Sequence, residues 1–185
     1  MSKERRILGI DPGTSITGYG IIRSADAQFE LKDYGIIDLR KISDTNEKLR
    51  KIFHSVCRLI DDYKINEFAA EAPFFGKNVQ SMLKLGKSQG VAIAAALSKG
   101  LDIHEHSPRK IKMSVTGNGN ASKKQVAVFL ENTFKQSIQN LTLDATDGIA
   151  AAVCQAYGNN AYSRNRKKTD SWKSFINKNP NRIMK

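Results

Sequence analysis

Four carboxylates in this sequence stand where a predicted strand or helix begins or ends. Asp11 closes one apolar run, Glu71 closes another, and Asp144 and Asp147 occupy the first turn of a predicted helix. In a layered α/β fold, strand ends and helix starts on one edge of the sheet form a crevice. Residues three apart on a helix share a face, so Asp144 and Asp147 would point into that crevice together. Four acids meeting there repel one another unless they hold cations. Oxygen-only ligands select a hard divalent ion, Mg²⁺ or Mn²⁺, rather than zinc. Two such ions about 4 Å apart would activate water and stabilise the leaving oxygen of a phosphodiester.

Each acid also has a simpler reading. Asp11-Pro12-Gly13 is a common turn sequence. Asp144 could cap its helix, with Asp147 as the reciprocal partner three residues on. Glu71 is harder to explain this way, because it ends the apolar stretch Phe68-Ala69-Ala70, where an unpaired buried charge would cost several kcal/mol.

The elements that must position these groups follow from periodicity. Residues 6–10 read as a buried strand, and two more strand-like runs cover about 17–23 and 28–38, predicting an antiparallel meander. Leu49, Ile52, Phe53, Val56, Leu59 and Ile60 then mark one face of a helix capped near Ser43 to Thr45. Phe68 to Glu71 forms a short strand stopped by Pro73. Residues 77–99 form a long helix, Leu101 to His104 a fifth strand, and helices follow near 108–115, 122–135 and 144–158. Strands first, then alternating helix and strand, predict an α/β fold with a mixed five-stranded sheet flanked by helices. One domain is expected over residues 1–160. Beyond Tyr157 the apolar periodicity vanishes, so 161–185 reads as a basic, disordered tail.

Charge narrows the partner. The net charge is +12, and residues 164–185 carry eight Lys/Arg against the single acid Asp170. Residues 77–124 hold nine basic residues and only two acidic ones, Asp102 and Glu105. Such clustering is the footprint of a phosphate-backbone binder, although basic surfaces also serve solubility alone. No stretch approaches the roughly 20 apolar residues of a membrane span, and the N-terminus lacks the pattern of a secretory signal. Cys57 and Cys154 lie in apolar helical patterns without zinc or disulfide spacing. They are expected to be buried thiols of a cytoplasmic protein.

In combination these residues resemble the RuvC family of Holliday-junction resolvases, which have a ribonuclease-H-like fold. Ile7-Leu8-Gly9-Ile10-Asp11-Pro12-Gly13 with Thr17-Gly18-Tyr19-Gly20 resembles the family's first block, and Ala70-Glu71-Ala72-Pro73-Phe74 its second. Lys84-Leu85-Gly86 with Gly90-Val91-Ala92 is similar to the helix that follows. Lys112, Gly117 to Ala121 and Lys123-Lys124-Gln125-Val126 resemble the third block, and Asp144-Ala145-Thr146-Asp147 the last. The resemblance spans about residues 6–158. It implies that Asp11, Glu71, Asp144 and Asp147 are catalytic metal ligands, holding two Mg²⁺ (or Mn²⁺) ions per site. It further implies that Lys112 and Lys123 contact the cleaved strand or support its phosphate chemistry, with Lys124 also on the DNA-binding side, and that Phe74 inserts near the branch point and helps distort the junction. Core packing is the reading of Phe74 that its sequence position alone would favour.

The implied activity is symmetric nicking of opposing strands of a four-way DNA junction by a homodimer, leaving 5′-phosphate and 3′-hydroxyl ends. A branch-migration motor complex is implied as partner. The small-residue stripe Gly86, Gly90, Ala94 on helix 77–99 would let a second helix approach across a dimer axis, though burial against its own sheet would equally require small residues. No role for the basic tail with Trp172 carries over. A tail acting electrostatically would steepen the salt dependence of DNA binding.

Other motifs fail on inspection. Leu85-Gly86-Lys87-Ser88 mimics the end of a P-loop, but the required first glycine is Ser81. Gly18-Tyr19-Gly20 and Gly117-x-Gly119 fail the dinucleotide pattern at Arg23 and Ser122. His104 and His106 lack the second pair a zinc site needs. An ATP-dependent phosphotransferase of the actin and sugar-kinase type can share the Gly9 to Thr14 opening but needs a second lobe, for which 185 residues are too few. A non-cleaving branched-DNA-binding module and a nuclease of structured RNA are the remaining rivals. Four acids facing phosphate argue against the first, and matched DNA and RNA substrates separate the second.

Overall fold

The computed structural model describes residues 4–25, 28–72, 78–135 and 143–164. The chain opens with the expected meander, β1 (Arg5–Asp11), β2 (Ile16–Ala25) and β3 (Gln28–Asp38), paired antiparallel in turn. Helix α1 (Thr45–Tyr63) starts at Asp44, whose carboxylate accepts the Glu47 N–H at 2.8 Å. It buries Ile52, Val56 and Ile60 along one stripe. This helix is the crossover that lets β4 (Glu67–Glu71) run parallel to β1. Helix α2 (Val79–Ser98) leads similarly to β5 (Ile103–His106), parallel to β4. Three helices complete the described chain: α3 (Pro108–Thr116), α4 (Lys123–Phe134) and α5 (Leu143–Arg164). The sheet order is β3-β2-β1-β4-β5, a mixed five-stranded sheet with helices on both faces and a ribonuclease-H-like layout.

Period-two alternation assigns each strand residue to a face. Leu8 and Ile10 of β1, Ile21 of β2, and Phe68 and Ala70 of β4 join one core cluster with α1 and α2. Ile7, Ile22 and Ala69 join the other, beneath α5 and flanked by α3 and α4. Complete burial of a side chain such as Leu8, Ile10 or Phe68 contributes about 1.5–3 kcal/mol. α5 is apolar nearly all round, with Ile149 to Ala152, Val153 and Cys154 buried, as befits a helix enclosed by a sheet and two other helices.

Three details differ from the sequence reading. The fifth strand begins two residues later, because Gly100 takes a left-handed φ of 74° and Leu101 donates to the Ala96 carbonyl, both finishing α2. α5 continues to Arg164, beyond the helix end expected near 158. Cys154 is buried, but Cys57 is only partly so, 3.9 Å from the Ser98 hydroxyl at the α1–α2 contact. No helix among the described residues is long and apolar enough to cross a membrane.

Candidate active site

Alternation along β1 and β4 puts Asp11 and Glu71 on the same side of the sheet. Ile7, Gly9 and Asp11 face α5, as do Glu67, Ala69 and Glu71. The parallel register that pairs Ile10 with Ala70 brings the next two residues, the acids, side by side at the strand ends. Neighbouring strands lie about 4.8 Å apart, so two carboxylates there meet without any turn or loop.

α5 brings the other two acids over this edge, and glycines allow it to come close. A Cβ on Gly18 would lie 1.8 Å from the Asp144 carbonyl oxygen, and one on Gly9 would lie 2.1 Å from that of Gly148. In return, a Cβ on Gly148 would sit 2.6 Å from Tyr19 Cα. The first turns of α5 therefore rest directly on the backbone of β1 and β2, with no side chains between. Asp144 lies inside the first turn of the helix, so it does not act as the N-cap of the simpler reading.

Two lysines complete the crevice. α4 starts with a reciprocal capping box: the Gln125 N–H donates to Ser122 Oγ at 3.3 Å, and the Ser122 N–H donates to Gln125 Oε1 at 2.8 Å. Val126 and Leu130 anchor the helix in the core. Lys123, three residues before Val126, reaches back across the site and its ammonium donates to Asp147 Oδ2. α3, capped by Ser107 with Pro108 in its first turn, buries Ile111 and presents Lys112.

Asp11, Glu71, Asp147, Lys112 and Lys123 line one cavity of about 230 Å³, walled by Pro108, Ile111, Val126 and Ala150. Asp144 stands one turn before Asp147, outside that lining. Lys124 is exposed on α4 and also lies outside it. Phe74 and Trp172 fall outside the described residues, as does the tail beyond Arg164.

The electrostatics reflect this crowding. Burial, then the charges of Asp147 and Glu71, raise the Asp11 carboxyl to about 7. Burial and Asp147 also raise Glu71 above the ordinary carboxylate range. Asp147 is raised by burial despite its bond to Lys123. Burial works against the Lys123 ammonium, but pairing with Asp147, aided by Asp11 and Asp144, holds it above its usual value. Among the described residues, no three His, Cys, Asp or Glu side chains are gathered closely enough to hold one ion as they stand. The donor set still fits a hard divalent cation: it is all oxygen, half-buried and short of positive charge apart from two lysines.

Residues that the sequence reading did not select tie together the elements that carry the site. Gln89, buried on α2, donates through Nε2 to the Glu71 carbonyl at 3.2 Å and to Glu105 Oε1 at 2.6 Å. Its signal was a lone amide on the face it shares with Ala92 and Ala96. On the α5 side, Arg5 grips Glu67 with two bonds of 2.6 and 2.8 Å, and Gln155 donates to Glu67 at 2.9 Å. Gln155 Oε1 also lies 2.9 Å from the buried His106 ring, which ties β1, β4 and β5 to α5.

The comparisons agree with the fold and give the family. The profile of the crossover junction endodeoxyribonuclease RuvC family matches residues 7–155. A crossover junction endodeoxyribonuclease of Bacteroides fragilis is 51% identical over 183 residues, covering 98% of this chain and 97% of the relative. That of Cytophaga hutchinsonii is 50% identical over 181 residues, covering 97% and 88%. Among solved structures, Thermus thermophilus RuvC superposes with a TM-score of 0.75 at 21% identity, covering 84% of this chain and 96% of that one. A yeast mitochondrial Holliday junction resolvase gives 0.64 at 12% identity, covering 88% and 83%. These last two likenesses concern the fold. Identity of this extent with the curated relatives settles descent, and the chain belongs to the RuvC family of crossover junction endodeoxyribonucleases.

Proposed function

We propose that this endonuclease binds four-way DNA junctions as a homodimer and nicks opposing strands with Asp11, Glu71, Asp144 and Asp147 as its metal-binding acids. The observation that carries the assignment is the convergence of Asp11, Glu71 and Asp147 with Lys112 and Lys123 in one cavity. The family uses divalent metal ions for catalysis. Here Mg²⁺ or Mn²⁺, two ions per site, would be held by the four acids and would supply an activated water and charge for the leaving 3′-oxygen.

The chain's own residues do the rest. Lys123 neutralises Asp147 before substrate arrives, and a phosphate entering the cavity offers its ammonium a second anionic partner. Lys112 adds a second positive charge on the same wall, favouring the equatorial phosphate oxygens. Pro108, Ile111, Val126 and Ala150 limit the water around the phosphate and strengthen both interactions. Lys124, exposed beside Lys123, extends the positive surface toward the flanking backbone. Phe74 is assigned to stacking near the branch point by resemblance, worth about 1–3 kcal/mol per stacked base.

The dimer reading rests on α2. Val79, Leu83, Gly86, Gly90, Ala94 and Leu97 form one exposed stripe, and a Cβ on Gly86 or Gly90 would meet nothing within 4 Å. The small residues thus do not serve packing on the protein's own sheet, where Ser88, Gln89, Ala92, Ala95 and Ala96 face instead. A second copy of the stripe fits this surface. The division into a nuclease domain and a basic tail, and engagement of a branch-migration motor, belong to the same reading.

Cleavage of a labelled synthetic four-way junction in Mg²⁺ tests it, with a linear duplex and Asp147→Asn as controls. Paired symmetric nicks on the junction, absent from the duplex and the variant, are expected. Tight junction binding without a cut in Mg²⁺ or Mn²⁺ would remove the catalytic assignment of the acids.

A further inference from the structure

A second concavity, of about 470 Å³, lies between the β1–β2 turn, the start of α1 and the first half of α2. Its polar lining is set by hydroxyls and ammonium groups. Thr14 and Ser15 come from the turn, Ser43 and Thr45 from the start of α1, and Lys48, Lys84 and Lys87 reach it from the two helices. None of the described residues lining it is acidic. The two carboxylates at the start of α1 have other engagements: the N-cap Asp44 accepts the Glu47 N–H, and Glu47 pairs with Arg50 at 3.5 Å. Lys48 bridges the groove walls by donating to the Thr14 carbonyl at 3.3 Å. Lys84 and Lys87 are exposed on one face of α2 and pair with no carboxylate among the described residues.

Unpaired lysines and hydroxyl donors together suit an anion with several oxygens. The groove also starts close to the nuclease site. Thr14 is three residues beyond Asp11 along the same turn, and three residues span at most roughly 10–11 Å. A DNA strand advances about 3.4 Å per nucleotide, so a strand whose phosphate sits at Asp11 would bring its neighbours to the groove mouth within roughly three nucleotides.

We infer that this groove holds the sugar-phosphate backbone of the DNA strand one to three nucleotides from the cut, with Lys84 and Lys87 each meeting a phosphate. The inference rests on the junction-nuclease reading and adds a positioning surface to it. Lys84 and Lys87 act by fixing the register of the strand, without touching the reacting phosphate.

The test compares Lys84→Ala/Lys87→Ala with its parent, both in an Asp147→Asn background so that bound junction is not cut. Both lysines are exposed, so the two proteins should melt at the same temperature. The slope of log K against log salt for a four-way junction bound by the dimer should become shallower by about 3.6, roughly 0.9 for each phosphate that the two subunits of the variant no longer neutralise. Single methylphosphonates placed one to three nucleotides from the cut should weaken binding to the parent and leave the double variant unaffected. An unchanged slope, or equal weakening in both proteins, overturns the assignment. If the parent does not prefer the junction over a linear duplex, the junction-nuclease reading itself fails, and the groove assignment falls with it.

Discussion

Replacing Gly18 with alanine should disable the nuclease without altering any acid or lysine. The added Cβ would lie 1.8 Å from the Asp144 carbonyl oxygen and 2.4 Å from its carbonyl carbon. Ordinary contact begins near 3.4 Å, so the start of α5 and the edge of β2 must part by roughly 1.5 Å. Neither neighbour yields easily, since both are backbone, and α5 is fixed further along by Gly148 and Ile149 against Tyr19 and Gly20. Such overpacking costs about 1–3 kcal/mol, which lowers the melting temperature of a chain this size by roughly 2–12 °C. The larger effect falls on chemistry. Asp144 and Asp147 move away from Asp11 and Glu71, and a displacement of about 1 Å in a catalytic constellation can cost 10²-fold in rate. Single-turnover nicking of a labelled junction should therefore slow at least about 100-fold while junction binding is retained. Gly158→Ala is the matched control, because a Cβ there meets nothing within 4 Å. A Gly18→Ala protein that cut within a few-fold of the wild-type rate and melted at the same temperature would refute direct backbone contact as the device that gathers the acids.

Gln89→Leu should leave the Glu71 carbonyl and Glu105 without their buried donor, costing about 1–3 kcal/mol. It should lower kcat more than it weakens junction binding, and equal losses in both would make Gln89 a general packing residue. Glu67 gives a pH prediction. Burial opposes its ionisation, but Arg5 and Gln155 outweigh this and hold the carboxyl below its ordinary 4.5. The stability it contributes is thus complete above pH 4.5 and is lost as pH falls through the lower folded-state value. Glu67→Gln should cost about 1.5–3 kcal/mol at neutral pH and show a flatter acid limb in urea melts, and parallel acid limbs would contradict it. Gly90→Glu should leave the monomer folded, with helix propensity gaining about 0.5–1 kcal/mol, yet shift sedimentation from dimer to monomer and uncouple the two nicks. A variant that stays dimeric would place the interface elsewhere.

Sequence alone determined much of this protein. Period-two alternation fixed which strand residues face which layer, because a pleated strand has no other choice, and it placed Glu71 at the end of an apolar run where a charge needs a reason. Period-3.6 stripes and caps located the helices, apart from the ends of the fifth strand and of α5, which depend on a glycine turn and on packing respectively. Strand ends and helix starts put forward the four acids as candidates, the family resemblance put forward the two lysines, and the charge pattern pointed to the class of partner. Tertiary structure decided what local patterns do not encode. The parallel β1–β4 register, reached after β2, β3 and the α1 crossover, put Asp11 beside Glu71. Close approach at Gly9, Gly18 and Gly148 laid α5 on the sheet and brought Asp147 to Lys123. Gln89 and the Arg5–Glu67–Gln155 network became visible only when residues far apart in sequence met. A polar residue's partner across the chain is a long-range contact, and no periodicity within its own helix can specify it.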